Sequence, residues 1–186
     1  MAQSTDGNNR DSDRVWVREA LNQYERPLIL YAFQILGDLE RAQDVVQDSF
    51  LRLCLQDREE IQPIVRAWLF TVCRNRALDV IRKESRMTYM AEEMTHPQGS
   101  TTDIDPAQLA ERRDHLSHIL ASVAVLPDRQ QEILRLKFQQ GLSYREIGKV
   151  MEVSISNVGV LIHTALRTLR TKLAASHHDV RRAQGE

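Results

Sequence analysis

Apolar residues recur three and four positions apart along most of this 186-residue chain, and no segment alternates apolar and polar residues as a strand does. The segment after Gly37 is the clearest example. Its apolar residues fall on one face of a helix: Ala42, Val45, Val46, Phe50 and Leu53. Polar residues, among them Asp44 and Gln47, fall on the opposite face. The pattern predicts an all-α fold.

A segment without periodicity, rich in Met, Glu, Thr, Ser, Gly and Pro, interrupts the helical pattern between about Thr88 and Pro106. We expect it to be a flexible linker that joins two small helical domains. The predicted order is a disordered leader over residues 1–13, a first domain over 14–90, a linker over 91–106, a second domain over 107–175 and a polar tail over 176–186.

Helix-ending residues divide the first domain. A first helix is predicted from near Asp13 to about Tyr24, and a second from Pro27, because proline suits the first turn of a helix better than its interior. Gly37 is predicted to end that helix, and a third begins near Asp38. After a break at Pro63, a fourth helix is predicted with a wide core-facing stripe: Trp68, Leu69, Val72, Cys73, Ala77, Val80 and Ile81.

The second domain contains a predicted helix-turn-helix. A helix ended by Pro127 is followed by another from Asp128 to about Gln140, with Gly141 as its C-cap. Ser143 and Glu146 form a capping-box pattern at the start of a short helix that ends near Met151. After a brief turn, Ser154 can cap a longer helix whose first residues would enter a DNA major groove.

Charge is segregated along the chain, although the formal net charge is only −1. Between Asp38 and Glu60 the chain has seven acidic residues and three arginines, whereas between Arg66 and Arg86 it has six basic residues and two acidic ones. The two cysteines, Cys54 and Cys73, form no CxxC pair, so we expect both to be buried packing residues in a reducing compartment. No apolar run approaches the ~18 residues of a membrane span, so we expect a cytoplasmic protein without membrane insertion.

Several segments in this order resemble the extracytoplasmic-function (ECF, group 4) alternative sigma factors of the sigma-70 family. Those similar to sigma region 2 are Tyr24–Leu28, Gly37–Asp38, Ala42–Leu53 and Ala67–Lys83; those similar to region 4 are Leu126–Leu134 and Gly141–Gly148. The resemblance implies a non-enzymatic factor that binds RNA polymerase core and directs promoter-specific initiation. It also implies an anti-sigma partner.

The resemblance implies roles for particular residues of the first domain. Those expected to bind core polymerase are Asp44, Gln47, Asp48 and Leu51, with Phe50 as support. The implied partners are the clamp helices of the largest subunit and the flap of the second-largest subunit. Residues expected to bind the promoter −10 element are Arg74, Asn75, Asp79, Arg82, Lys83 and Arg86, whereas Trp68 is expected to be core rather than a stacking platform.

Binding to the −35 element is assigned to the helix-turn-helix. The expected residues are Tyr144, Arg145, Lys149, Ser154, Ile155, Ser156, Asn157, Val160, Arg167 and Arg170, with Asn157 the best candidate for a base-edge contact. Many relatives carry basic residues in the middle of the last helix, where this chain has Gly159, Val160, Leu161 and Thr164. Fewer cations mean fewer phosphate contacts, so we expect modest −35 affinity or unusual base preferences.

Two other functions are alternatives. A helix-turn-helix regulator that acts without polymerase would explain the second domain but not the charged surfaces of the first. A hydrolase or metalloenzyme would need a site among the histidines, such as His115, His118 and His163. The chain has no HExxH or GxSxG motif and no phosphate-cradling glycine-rich loop, so we expect neither catalysis nor a cofactor.

Overall fold

The computed structural model describes residues 5–88, 123–124 and 126–183. Within these ranges the chain is helical apart from short turns, and it contains no strand. It divides into two compact units, Met1–Ser100 and Thr101–Glu186. The predicted linker over residues 91–106 and nearly all of the helix predicted to end at Pro127 lie outside the described residues.

Three mutually packed helices form the first unit. Its elements are α1 (Thr5–Leu36), α2 (Leu39–Leu53), the single turn α3 (Arg58–Ile61), a 3-10 turn (Gln62–Ile64) and α4 (Val65–Thr88). The core between α1, α2 and α4 is apolar, and the ring of Phe70 meets the ring of Tyr31 edge to face at a centroid distance of 5.3 Å. Such a pair adds to the stabilisation that burial of both rings provides.

Helix α1 differs from its prediction in two respects. The break predicted at Pro27 is wrong, because α1 continues through it. Proline removes one helical hydrogen bond, at a cost of roughly 3 kcal/mol, but the flanking Trp16, Leu28 and Tyr31 are all buried, and this packing holds the helix together. Residues 5–13, which the sequence assigns to a disordered leader, belong to α1 in the structure, and extending an existing helix adds one hydrogen bond per residue fixed.

The turn between α1 and α2 and the burial of α2 are as predicted. Gly37 has a φ of +71°, which glycine adopts without strain, and its N–H donates to the Phe33 carbonyl. Asp38 caps α2 by accepting a hydrogen bond from the Arg41 N–H at 3.0 Å. The predicted inner face of α2 is buried in full: Ala42, Val45, Val46, Phe50 and Leu53.

The core-facing stripe of α4 is confirmed in part. Leu69, Cys73 and Ala77 are buried, whereas Trp68 is half-buried. Ile81 is exposed, so its assignment to the core is wrong.

The second unit is built on one long helix. Its elements are α5 (Asp128–Leu134), a π-helical turn (Arg135–Gln139), α6 (Tyr144–Met151) and α7 (Ile155–Ala183), with α5 and α6 packed on α7. Gly141 has a φ of +62° and ends the π turn, as the Leu142 N–H donates to the Leu136 carbonyl. The helix predicted from Asp128 to Gln140 therefore changes from α to π geometry at Arg135. The predicted polar tail is helical through Ala183.

Backbone contact fixes the turn between α6 and α7. The Val153 N–H donates to the Gly148 carbonyl at 2.9 Å, and Glu152 ends α6 in the left-handed region. A Cβ atom at Gly148 would lie only 2.9 Å from the Val153 carbonyl oxygen, a backbone atom that has no freedom to rotate away. Only glycine at this position allows the close approach that the turn requires.

The two cysteines differ in environment. Cys73 is fully buried, and burial raises the pKa of its thiol to about 12. Cys54 is exposed, so the prediction that both cysteines are buried is wrong. Cys54 follows the last residue of α2 and caps its C-terminus through its backbone N–H, a role that leaves the side chain in solvent.

We expect Gly148→Ala to lower the free energy of unfolding by about 1–3 kcal/mol, because the new methyl group is forced against backbone. The matched control is Gly159→Ala, whose Cβ would lie 3.9 Å from the nearest Tyr144 ring carbon, an ordinary contact. Alanine there is expected to be neutral or to stabilise by up to about 1 kcal/mol. Urea unfolding followed by circular dichroism measures both, and equal effects would contradict the turn geometry.

We expect the native protein to react with one equivalent of a thiol reagent such as Ellman's reagent, and with two equivalents after unfolding in guanidinium. Cys54 is the residue that reacts first, because its thiol is accessible, whereas Cys73 is buried and protonated. A Cys54→Ser variant should lose the fast reaction. Fast reaction in that variant would contradict the burial of Cys73.

Candidate protein and nucleic-acid interfaces

The outer face of α2 carries the residues predicted to bind polymerase. Because its inner face is buried against α1 and α4, Asp44 and Gln47 are exposed, Asp48 is half-buried and Leu51 is 58% exposed. Phe50 is buried with the inner face of α2. The structure therefore brings two carboxylates, an amide and an exposed leucine together on one side of a helix.

Two ion pairs connect α2 with α4. The Arg76 Nε lies 2.9 Å from Asp48 Oδ2, and the Arg41 Nη1 lies 2.7 Å from Glu84 Oε1. Both pairs border an open cleft of about 400 Å³, lined by Arg41, Asp44, Val45, Gln47, Asp48, Arg76, Val80 and Glu84. Side chains as exposed as these contribute little to stability, typically below about 1 kcal/mol per pair. Their effect is to fix where the Asp48 carboxylate lies.

The outer face of α4 carries the residues predicted to bind the −10 element. Asn75, Asp79, Arg82 and Arg86 are spaced four, three and four residues apart, so they share one exposed face, and Lys83 is exposed beside it. Arg74 is half-buried at the edge. The Arg82 Nη1 donates to Asp79 Oδ1 at 3.1 Å, so one cation of this surface already has a carboxylate partner. The remaining surface is cationic, with one amide.

The helix-turn-helix has the capping geometry that the sequence predicts. The Ser143 hydroxyl accepts from the Glu146 N–H at 3.3 Å, and the Glu146 carboxylate accepts from the Ser143 N–H at 2.7 Å. Ser154 caps α7 by accepting from the Asn157 N–H at 3.2 Å. All ten residues predicted to bind the −35 element are exposed: Tyr144, Arg145, Lys149, Ser154, Ile155, Ser156, Asn157, Val160, Arg167 and Arg170.

The sequence interpretation missed the two most exposed of the large apolar side chains that the structure describes. Leu55 follows α2 and is 82% exposed, close in sequence to Leu51. Phe138 is 63% exposed in the π turn. Phe138 lies in the π turn, four residues after buried Leu134. No local sequence pattern predicts a π turn.

No group of three or more His, Cys, Asp or Glu side chains within the described ranges is arranged to hold a metal ion. None of the helices described is both long enough and apolar enough to cross a bilayer.

Family models match both units. The sigma-70 region 2 model matches residues 20–87, and the sigma-70 region 4 model matches residues 118–169. The first match covers α2 and nearly all of α4, and the second covers the helix-turn-helix. The two regions occur in the order that the sequence motifs indicate.

Curated relatives agree with both matches. The ECF RNA polymerase sigma factor SigW of Bacillus subtilis strain 168 is 25% identical over 158 residues, which cover 81% of this chain and 84% of SigW. The RNA polymerase sigma factor YlaC of the same strain is 27% identical over 177 residues, covering 93% of this chain and 98% of YlaC. The ECF sigma factor SigL of Mycobacterium tuberculosis H37Rv is 29% identical over 160 residues, covering 84% and 88%.

Solved structures share the fold. The sigma factor RpoE of Bartonella quintana, in complex with the anti-sigma factor NepR, superposes with a TM-score of 0.61 at 22% identity and covers 84% of this chain and 96% of its own. CnrH, in complex with the cytosolic domain of CnrY, gives a TM-score of 0.55 at 21% identity, covering 86% and 88%.

The chain therefore belongs to the sigma-70 family, and within that family it is a sigma factor of the ECF group. Such a factor binds RNA polymerase and serves promoter-specific initiation of transcription, and it is not an enzyme. A helix-turn-helix regulator that acts without polymerase is not favoured, because region 2 occupies the first unit.

Proposed function

We propose that the outer face of α2 docks on the clamp helices of the largest polymerase subunit. The observation that carries this proposal is the exposure of Leu51 beside Asp44, Gln47 and Asp48, directly above buried Phe50. An exposed leucine supplies apolar area to bury, while the carboxylates steer the approach of a basic partner and set the register. Leu55 extends the apolar part of this surface.

The second unit has a corresponding apolar anchor. We propose that Phe138, which is 63% exposed in the π turn, inserts into the flap of the second-largest subunit, because exposed aromatic side chains are enriched where proteins bind one another. Fully burying such a side chain contributes roughly 1.5–3 kcal/mol to binding. The flap contact would hold the second unit on the polymerase, next to the −35 element.

Promoter opening follows from differential binding. The α4 surface around Asn75, with Arg82, Lys83 and Arg86, suits an unpaired strand, since the cations contact the backbone and the amide contacts a base edge. These contacts exist only when the −10 base pairs are open, so they shift the population towards open DNA. The second unit contributes duplex binding at −35 through the residues named above.

We further propose an anti-sigma partner and a cytoplasmic location. The solved structures of RpoE and CnrH are complexes with an anti-sigma factor, NepR, and with the cytosolic domain of CnrY, respectively. An inhibitor that covers Leu51, Leu55 and the neighbouring carboxylates would prevent polymerase docking. The cytoplasm is the compartment in which bacterial RNA polymerase transcribes the chromosome.

We expect Asp48→Arg to weaken binding to core polymerase by roughly 100-fold, since it places a cation opposite a basic partner, which costs several kcal/mol. Asp44→Arg should do the same without disturbing the Asp48–Arg76 ion pair. The matched control is Glu19→Arg, the same charge change at an exposed position of α1. Fluorescence anisotropy of labelled protein titrated with core measures the affinities. Full affinity in both α2 variants would refute the docking proposal.

We expect Asn75→Ala to bind core normally and to lower open-complex formation by about tenfold, the typical effect of losing one base-edge contact. Fluorescence of 2-aminopurine in the −10 element reports unpaired bases, and wild-type protein mixed with sigma-free core provides the reference. Asn22→Ala, on the exposed side of α1, is the control. Normal opening by Asn75→Ala would show that another residue captures the base.

A further inference from the structure

The part of the helix-turn-helix that would enter the major groove contains no cation. From Val150 to Leu166 the sequence has neither lysine nor arginine, and its only charged side chain is Glu152. This stretch includes the turn before α7 and the first three turns of α7. Basic residues lie only on either side of it, with Arg145 and Lys149 in α6 and Arg167 further along α7.

Helical spacing and burial define which side of α7 faces outward. Ser156, Val160, His163 and Arg167 are separated by four, three and four residues, so they form one stripe, and all four are exposed. The opposite side packs in the core through Val158, Ile162 and Ala165. Val160, 61% exposed, therefore lies in the middle of the outward stripe, two turns before its first arginine.

The chemistry of this stripe limits which bases it can read. Guanine in the major groove is read chiefly by the paired donors of arginine or lysine, and neither residue is available until Arg167. Thymine alone presents a methyl group in the major groove, and apolar side chains contact it. Val160 offers two methyl groups at the position where a recognition helix would meet base edges.

We propose that Val160 determines the −35 specificity of this protein by packing its methyl groups against the 5-methyl group of a thymine. The inference rests on the proposed −35 role of the second unit. Sequence-independent affinity comes from phosphate contacts by Arg145 and Lys149 on one side and by Arg167 and Arg170 on the other. The preferred element accordingly contains an A·T pair opposite Val160.

Removing the thymine methyl group tests the proposal directly. Holoenzyme assembled from the full chain and core polymerase is used to select promoters from a library randomised at −35. Each selected thymine, on either strand, is then replaced by deoxyuridine, and holoenzyme affinity is measured by competition. At one position we expect an affinity loss of about fourfold, the effect of one buried methyl group. For Val160→Ala, the ratio of the affinity for the element with thymine to the affinity for the element with uracil should be close to one.

A gain of specificity provides a second measurement. Val160→Arg should shift the selected base at that position towards guanine by about tenfold, since arginine pairs with its two acceptors. Uracil placed outside the −35 element is the control and should affect wild type and variants equally. Because Val160 is exposed within a helix, neither substitution should alter core binding or thermal unfolding, which are measured in parallel.

Three results would overturn the proposal: selection without a thymine in the element, unchanged affinity with uracil at every selected thymine, or a fourfold ratio that persists in Val160→Ala. Failure of the proposed function looks different. In that case the wild-type holoenzyme selects no preferred base at −35, so there is no selected thymine to replace by uracil.

Discussion

Burial of one side of α2 against α1 and α4 is the constraint that orders the surfaces of the first unit. Phe50 and Leu51 are neighbours in sequence, yet one is buried and the other exposed, because successive residues point about 100° apart on a helix. Because Phe50 and the other apolar residues of α2 lie in the core, Asp44 and Gln47 on the other face of the helix are exposed to solvent. The ion pair between Asp48 and Arg76 then ties this face to α4. Polymerase docking and promoter opening are thus assigned to adjacent helices that share one core.

In the second unit a backbone contact acts together with an apolar core. The approach of Val153 to Gly148 holds α6 and α7 at the angle of a helix-turn-helix, and the reciprocal bonds of Ser143 and Glu146 fix where α6 begins. This arrangement presents α7 with few cations at its start. Under the proposed roles, affinity and specificity are carried by different residues, with phosphate contacts at the flanks and base contacts in the middle.

Modest −35 affinity is compatible with efficient initiation because the two units act together. Docking of the first unit on polymerase, with Phe138 proposed to hold the second, raises the effective concentration of α7 at the promoter. A weak contact is then sufficient, and the proposed discrimination of a single methyl group would change promoter choice. The docking surfaces are proposed to rely on apolar burial and the DNA surfaces on cations, so salt should weaken promoter binding more than core binding.

Short-range patterns predicted much of the fold and located the candidate surfaces. The buried face of α2, the ends of helices at Gly37 and Met151, and the caps at Ser143 and Ser154 all depend on residues within one or two helical turns of each other. The same periodicity placed Asp44 and Gln47 on the face opposite the apolar residues of α2, and both are exposed. Their roles in binding remain predictions, because exposure alone does not identify a partner.

The sequence by itself determined the all-α class, the helix-turn-helix and the polarity of each helix face, since these follow from local spacing and local hydrogen bonds. Only the tertiary structure decided that α1 continues through Pro27, that Cys54 is exposed and that Phe138 points into solvent. Each of these outcomes depends on which distant residues pack against a segment. Packing of that kind outweighs the local preference of a single residue, so a short window of sequence does not predict the outcome.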